Sequence, residues 1–378
     1  MAWILLAALH LLWLYAQGSS AWNHTDISNY WLRSEIGERL LVAYVKASTT
    51  KEEWLAAVDQ APGPDPLISI DCSQPDSRAG CLGAEYRGYP SIYLEELDHP
   101  TFWYQGPRRA GALLHWMARL ARPLVPETLD ADALAKFKTA DETVFVAYLG
   151  EDTAAAAVFA DIAFRYREEF SFGTVTDPEV IRAQGLEPPA VVCYKLVDGD
   201  TVSLNEIKGP EELDAWIKEA SRPVLSELTV LNHQRLLDRG SPMVYVFAPT
   251  ERERQALRKV LYKFAKNHYD SLTSATVDPF VFPDLMAQLG LEPGVFPAGA
   301  VHQLSKDRIY HYPKGRSLSA SALQEWGLDV YQGRIKPWTP LGVTTTYEKA
   351  EATRTATRRV SIKNIPEVKI RVAGRDEL

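Results

Sequence analysis

The chain repeats one order of elements three times: a β-α-β-α half, then a proline-led β-β-α half. That order leaves few folds open. The first copy opens with the β-rich run Leu40–Val45, a helical stretch Lys51–Gln60 and a strand Leu67–Asp71. Pro90 then begins a strand, residues 101–104 form the next, and Gly106-Pro107-Arg108-Arg109 turns into a helix over 110–122. The second copy reads as strand 143–149, alanine-rich helix 152–169, strand 170–176 and a short helix over 179–185. A strand led by Pro189, a strand over 201–207 and a helix over 211–220 complete it. The third copy has a strand over 243–248 and a helix over 251–268, with Leu257, Val260, Leu261 and Phe264 at helical spacing. A strand over 271–278, a helix over 282–290, a strand led by Pro297, a strand over 308–312 and a helix over 319–331 follow. The three prolines fall roughly a hundred positions apart, an ordinary domain length. Each copy is therefore expected to build a mixed central sheet with helices on both faces, in the α/β class. A strand tolerates proline at its first residue, and a cis bond there sets a fixed bend, so Pro90, Pro189 and Pro297 are candidate structural cis-prolines.

The two ends give an address. Residues 3–15 are an apolar run interrupted only by His10, and small residues follow at 18–21. This reads as a secretory signal peptide over 1–21, cleaved after Ala21. About 13 apolar residues fall short of the roughly 20 that a membrane-spanning helix needs. At the other end Arg375-Asp376-Glu377-Leu378 is a variant of the tetrapeptide read by the retrieval receptor of the endoplasmic reticulum. Together they predict residence in the lumen of that compartment, with no membrane span after cleavage. A sequon at Asn23 lies two residues beyond the cleavage site, and its use stays open. A net charge of −8 gives no basis for nucleic-acid binding.

Three cysteines allow one bridge and leave one thiol. Cys193 sits in the apolar run 190–196, which reads as a buried strand. Cys72 and Cys81 lie close together beside a polar segment. In an oxidising lumen Cys72–Cys81 is the expected pair and Cys193 an inert core thiol. Closing so short a loop contributes roughly 2.7 kcal/mol in the chain-entropy account.

The recurrent order resembles the thioredoxin fold, and the assembly is similar to protein disulfide isomerases, lumenal proteins built of tandem thioredoxin-like domains called a, b, b′ and a′. The resemblance runs from about Leu32 to Pro340. It is carried by Gly88-Tyr89-Pro90-Ser91 with Tyr104-Gln105-Gly106-Pro107-Arg108, by the run Pro188 to Lys195, by Val244 to Pro249, and by Gly333 to Pro337. It implies an a-type domain over 22–122, a b-type domain over 123–222, a b′-type domain over 223–335, and a linker with a flexible basic tail over 336–378 where the fourth domain would stand. Cys72 and Cys81 fall where some a domains carry a non-catalytic disulfide.

One departure decides the chemistry. Where the family's a domain carries V-E-F-Y-A-P-W-C-G-H-C, this chain reads Val42 to Glu52, with Thr49 and Glu52 at the two cysteine positions. Ala43 replaces the family's buried glutamate and Ser48 the tryptophan before the first cysteine. No C-x-x-C occurs anywhere in the chain. Thiol–disulfide exchange needs a thiolate attacking sulfur, so the expectation is a protein that is not an enzyme. No hydrolase, zinc-protease, P-loop or EF-hand motif appears. His302 and His311 have no third ligand near in sequence and read as half-exposed strand residues, so no metal and no cofactor is expected. Acidic residues cluster only in pairs, and the tail from Thr339 has eight Lys/Arg against five Asp/Glu, which excludes a bulk calcium store.

What remains is binding. In the family the b′ domain holds non-native clients in an apolar groove. By resemblance Phe247 matches an aromatic pocket residue, and Leu289 matches an aromatic position with a smaller side chain. Leu261 and Phe264 are expected to line the same cavity. Trp338, in the linker, either caps that pocket or anchors the chain on the domain surface. The tail alternates Val360, Ile362, Ile365, Val368, Ile370 and Val372 with polar residues. It reads as an edge strand or a flexible arm, and the flexible reading keeps the retrieval tag accessible. Two functions fit: a non-catalytic chaperone or adaptor for unfolded or unassembled secretory proteins, or a dedicated structural subunit of one lumenal complex.

Overall fold

A computed structural model describes residues 24, 27–36, 38–46, 51–61, 67–78, 80–85, 89–96, 100–123, 126–339, 343–345 and 360–362. The expected signal segment, Asn23, Ser48, Thr49 and the tetrapeptide Arg375, Asp376, Glu377 and Leu378 lie outside them. The chain divides into two compact units, residues 1–223 with 229–231, and residues 224–228 with 232–378.

The first unit holds two sheets. The first sheet is built from helix α1 (Ile27–Glu35), β1 (Leu40–Val45), α2 (Lys51–Gln60), β2 (Leu67–Asp71), α3 (Leu82–Glu85), β3 (Ser91–Glu95), β4 (Phe102–Trp103) and α4 (Ala110–Ala121). Its strand order is β2-β1-β3-β4, with β1 parallel to β2 and antiparallel to β3. The second sheet follows with β5 (Glu127–Thr128), α5 (Ala131–Phe137), β6 (Thr143–Tyr148), α6 (Thr153–Tyr166), β7 (Ser171–Val175), α7 (Pro178–Ala183), β8 (Ala190–Lys195), β9 (Asp200–Leu204) and α8 (Pro210–Ala220), in the order β5-β7-β6-β8-β9.

The second unit repeats that plan with β10 (Ser226–Glu227), α9 (His233–Asp238), β11 (Met243–Phe247), α10 (Glu251–Asn267), β12 (Thr273–Val277), α11 (Pro283–Gln288), β13 (Ala298–Gln303), β14 (Arg308–His311) and α12 (Ala320–Tyr331), in the order β10-β12-β11-β13-β14. Within the segment expected to be flexible, β15 (Val343–Thr345) pairs antiparallel with β16 (Val360–Ile362). A two-stranded ribbon of this kind is marginal by itself.

The central strands are apolar throughout because both of their faces are covered. Side chains alternate across a strand, so Val244 and Val246 of β11 enter one core, while Met243, Tyr245 and Phe247 enter the other. Phe145 and Ala147 of β6 divide from Val144, Val146 and Tyr148 in the same way. So do Leu41, Ala43 and Val45 of β1 from Leu40, Val42 and Tyr44. Helix starts are set by side-chain caps: Asp130, Asp152 and Asp177 accept from Ala133, Ala155 and Glu179 amides, and Thr250 with Glu253 forms a reciprocal capping box. The peptide bonds before Pro90, Pro189 and Pro297 are all cis.

The sequence reading missed the short leading strands β5 and β10, and helices α1, α3, α5 and α9. Two-residue strands have no period to detect. They form by parallel pairing with β7 and β12, a long-range event. For α5 a signal existed: Asp130 as cap, with Leu134 and Phe137 on one face.

Within the first unit α4 reaches onto the second sheet. Arg109 makes a bidentate ion pair with Glu142. Arg119 donates to both oxygens of Asp141 at 3.0 and 2.9 Å. Asp141 is 2% exposed and also accepts from Ser171 Oγ at 2.6 Å. A fully satisfied buried carboxylate of this kind is costly to disturb.

Candidate functional site

At the expected exchange site of the first sheet there is no sulfur. Lys46 lies over the Tyr89 ring at 4.8 Å, Arg108 donates to the Pro90 carbonyl at 3.1 Å, and Glu52 is exposed at the start of α2. Glu53 accepts from the Ala110 amide at 3.0 Å and so caps α4. Ala43 is buried among apolar neighbours, so the position of the family's proton-moving glutamate is dry and uncharged. On the opposite face of β1, where the alternation points Tyr44, an ionisable group does appear. Tyr30 donates to Glu95 Oε2 at 2.6 Å, and Tyr44 donates to Glu95 Oε1 at 3.2 Å. Burial raises the Glu95 carboxyl above its ordinary range, opposed by those two hydrogen bonds. No local pattern marks this cluster, because α1 must fold onto the sheet before Tyr30 and Glu95 meet.

The sulfurs lie elsewhere. Cys72 and Cys81 form a disulfide with Cα atoms 5.8 Å apart, and both residues are buried. Cys193 is a free thiol with no exposure, donating to the Ala220 carbonyl at 3.5 Å. Burial pushes its pKa up to about 12, which leaves essentially no thiolate near neutral pH.

In the second unit the structure corrects the expected pocket. Phe247 and Leu289 are buried in one core. Leu261 and Phe264, on α10, belong to the other core, with Tyr310, Tyr312, Leu323 and Trp326. The sheet separates the two pairs, so the four do not line one cavity. The reason is the parity of the strand: Phe247 at the end of β11 shares a face with Met243 and Tyr245, whereas α10 covers the face of Val244 and Val246.

The surface above Phe247 and Leu289 has its own geometry. Phe282, Phe296, Leu304 and Ile309 are partly buried around that core. His233 stands edge-on to Phe282 at 5.5 Å, and burial lowers its pKa. Trp338 folds back onto this side: its amide donates to the Ile309 carbonyl at 2.7 Å, extending β14 by one bridge. Its ring, half-buried, rests on Gly290 so closely that a Cβ there would lie 2.1 Å from Cε2. Gly290 also closes α11: its φ is +69°, with Leu291 N bonded to Met286 O and Gly290 N to Ala287 O, the paired pattern of a Schellman cap. His311 tilts against the Trp338 ring at 5.5 Å and binds the Leu289 carbonyl through Nε2 at 2.7 Å. A carbonyl only accepts, so this nitrogen carries the proton. Of the expected site residues, Phe247, Leu289 and Trp338 thus gather on one side. Gly290 and His311, which hold the tryptophan, went unread as contacts because the linker's return is visible only in three dimensions.

His302 pairs with Asp307 at 3.1 Å, and no cluster of three metal-binding side chains occurs among the described residues. No helix among them is long and apolar enough to cross a membrane.

The comparisons agree with this architecture. The family described as thioredoxin-like domain matches residues 149–327. A protein disulfide-isomerase of Aspergillus oryzae is 26% identical over 273 residues, covering 72% of this chain and 52% of its own length. One from Humicola insolens is 28% identical over 273 residues, covering 72% and 53%. The chain therefore spans about half the length of the curated relatives it matches. Among solved structures, the bb fragment of ERp72 covers 57% of this chain and all of its own, at 17% identity and a TM-score of 0.45. Human ERp44 covers 84% and 90%, at 15% identity and a TM-score of 0.39. With its mixed α/β architecture, the chain carries a thioredoxin-like domain and is similar in sequence to protein disulfide isomerases over 72% of its length.

Proposed function

We propose that this chain is a non-catalytic member of the protein disulfide isomerase family that binds non-native secretory proteins in the lumen of the endoplasmic reticulum. The observation that carries the reading is the seat of Trp338, a half-buried ring held on the Leu289–Gly290 turn by His311, above the core of Phe247 and Leu289. A single aromatic ring resting on an apolar surface can be exchanged for an apolar side chain of a client, since such contact is roughly proportional to area and makes no sequence demand. The absence of C-x-x-C, the inert Cys193 and the dry Ala43 support a role without thiol chemistry. The leader at 1–21 and the tetrapeptide at 375–378 support retention and retrieval in the lumen.

The test is aggregation suppression with several unrelated denatured proteins, alongside insulin reduction. Trp338→Ala should uncover the surface and strengthen suppression for every client. Insulin turnover should stay at the uncatalysed rate. Robust turnover would overturn the non-catalytic reading. No holding of any denatured protein, by either form, would overturn the chaperone reading in favour of a dedicated structural subunit.

A further inference from the structure

We propose that the cleft where α4 meets α6 and β7 in the first unit binds a small doubly charged oxyanion of the phosphate class. The cleft is open to solvent, and its wall includes Arg119, Arg122, Arg167, Ser171, Phe170 and Phe172. Three guanidinium groups line it, and their charges are not equally met. Arg119 is neutralised by Asp141 through Nη1, which leaves its buried Nε without an acceptor. Arg122 donates to the neutral Ser171 hydroxyl and lies over the Phe137 ring at 5.1 Å. Arg167 lies 4.9 Å from the Phe102 ring and 5.2 Å from that of Phe164. Among the described residues no carboxylate comes within ion-pair distance of Arg122 or Arg167, and Glu127 and Glu168 act on them only from farther away. The cleft therefore carries two guanidinium groups without a carboxylate in ion-pair contact, one of them partly withdrawn from water. Burial and the proximity of Arg119 both push Arg122 below its ordinary pKa, opposed by Asp141 and Glu127.

Holding the two halves of this unit together does not require that arrangement. The ion pairs of Arg109 with Glu142 and Arg119 with Asp141 already span them. Arg122 and Arg167 add like charge to a confined place, a repulsion that their ring contacts offset in part and that a bound anion relieves. Guanidinium groups present planar forks of N–H donors that match two oxygens of one tetrahedral anion. Donors converging from α4 and α6, with Ser171 between them, suit an ion with several acceptor oxygens and a charge near −2. Arg119 and Arg122 come from the first sheet's side and Arg167 from the second's, so a bound ion ties the two together.

The test uses the full chain in sodium phosphate, sulfate, acetate or chloride at equal ionic strength and pH. Phosphate and sulfate should raise the unfolding temperature saturably, whereas acetate and chloride should not. Arg122→Gln and Arg167→Gln should each weaken the apparent phosphate affinity by about tenfold or more, the loss expected for one charge-assisted hydrogen bond. Arg165→Gln, on α6 but paired with Asp214, should leave it unchanged. Should a variant fail to fold, hydrogen exchange on the natural chain decides: phosphate, but not chloride, should slow residues 119–129 and 163–172. A rise that does not saturate, or that both Gln variants share in full, is the general salting effect of these anions and overturns the proposal. So does exchange that is indifferent to phosphate.

Discussion

Removing Trp338 and filling the space beneath it should have the same structural consequence, and a double-mutant cycle can show it. The ring is half-buried on Gly290. Half of a tryptophan's usual burial is about 100 Å², which at about 25 cal/mol per Å² contributes about 2.5 kcal/mol. Trp338→Ala should therefore cost about 2.5 kcal/mol. In Gly290→Ala the new Cβ would lie 2.1 Å from Cε2, so the ring must leave. This change loses the same 2.5 kcal/mol, and the left-handed φ of +69° adds about 1 kcal/mol for a residue with a side chain. Its total is about 3.5 kcal/mol. With the ring already gone, Trp338→Ala adds nothing, so the double variant should also cost about 3.5 kcal/mol, a coupling of about 2.5 kcal/mol. Hydrogen exchange in the full chain, read on peptides spanning β14 and residues 335–339, reports the opening free energies. Additive costs near 6 kcal/mol would show that Trp338 does not occupy the Gly290 surface, and the capping argument would fall with it. The cycle also predicts function: both single variants should strengthen client holding to the same extent, because both expose the same surface.

Three further perturbations probe the rest of the chain. Asp141→Asn leaves Arg119 with a neutral, mismatched partner and should lower the stability of the first unit by about 3 kcal/mol, as read by urea unfolding; a change below 1 kcal/mol would mean the Asp141 hub is not structural. Reduction of Cys72–Cys81 should cost roughly 2.7 kcal/mol for a loop this short, so dithiothreitol should lower the unfolding temperature of the natural chain but not of Cys72→Ala/Cys81→Ala. Glu95 provides a pH test. Its folded pKa is raised above the ordinary 4.5, so its favourable contribution is complete below that value and is lost as pH rises through the folded pKa. Glu95→Gln keeps an acceptor for Tyr30 and cannot ionise. The natural chain should lose stability relative to this variant as pH rises above about 4.5, and a relative gain over that range would refute the assignment.

The parts of this structure that are local were legible in the residues. Apolar runs such as Leu40–Val45 and Met243–Phe247 mark central strands because both faces are covered, and each proline-led strand marks the following antiparallel pair. The Cys72–Cys81 pairing could be read because Cys193 lies inside another such run. The grouping of side chains across a sheet was harder. Leu261 and Phe264 share helical spacing, and nothing in that spacing tells which face of the sheet the helix will cover. Only the register of β11 beside β12 and β13 assigns Phe247 to one core and α10 to the other. Trp338 lies 29 positions after Ile309, and the bridge joining them depends on an unpaired edge of β14 that no local pattern announces.

The same distinction bears on why a domain without thiols persists as a domain. The first sheet has an apolar core and a cis-proline, and its ionisable group sits on the other face of β1 from Ala43. Ala43 faces an apolar cluster, and a half-buried carboxyl, Glu95, lies on the other side of β1, bound to Tyr30 and Tyr44. A carboxylate so placed tethers α1 to the sheet. Meanwhile the last helix of this domain directs Arg109, Arg119 and Arg122 outward onto the second sheet, where Glu142, Asp141 and Ser171 receive them. Its remaining chemistry is thus at its boundary. If the charge of Arg122 and Arg167 is answered by an anion, that boundary stiffens only when the ion is bound, and the domain acts as one jaw of a clamp. A domain kept merely as a spacer has no need of two unneutralised guanidinium groups beside an already complete pair of ion bridges.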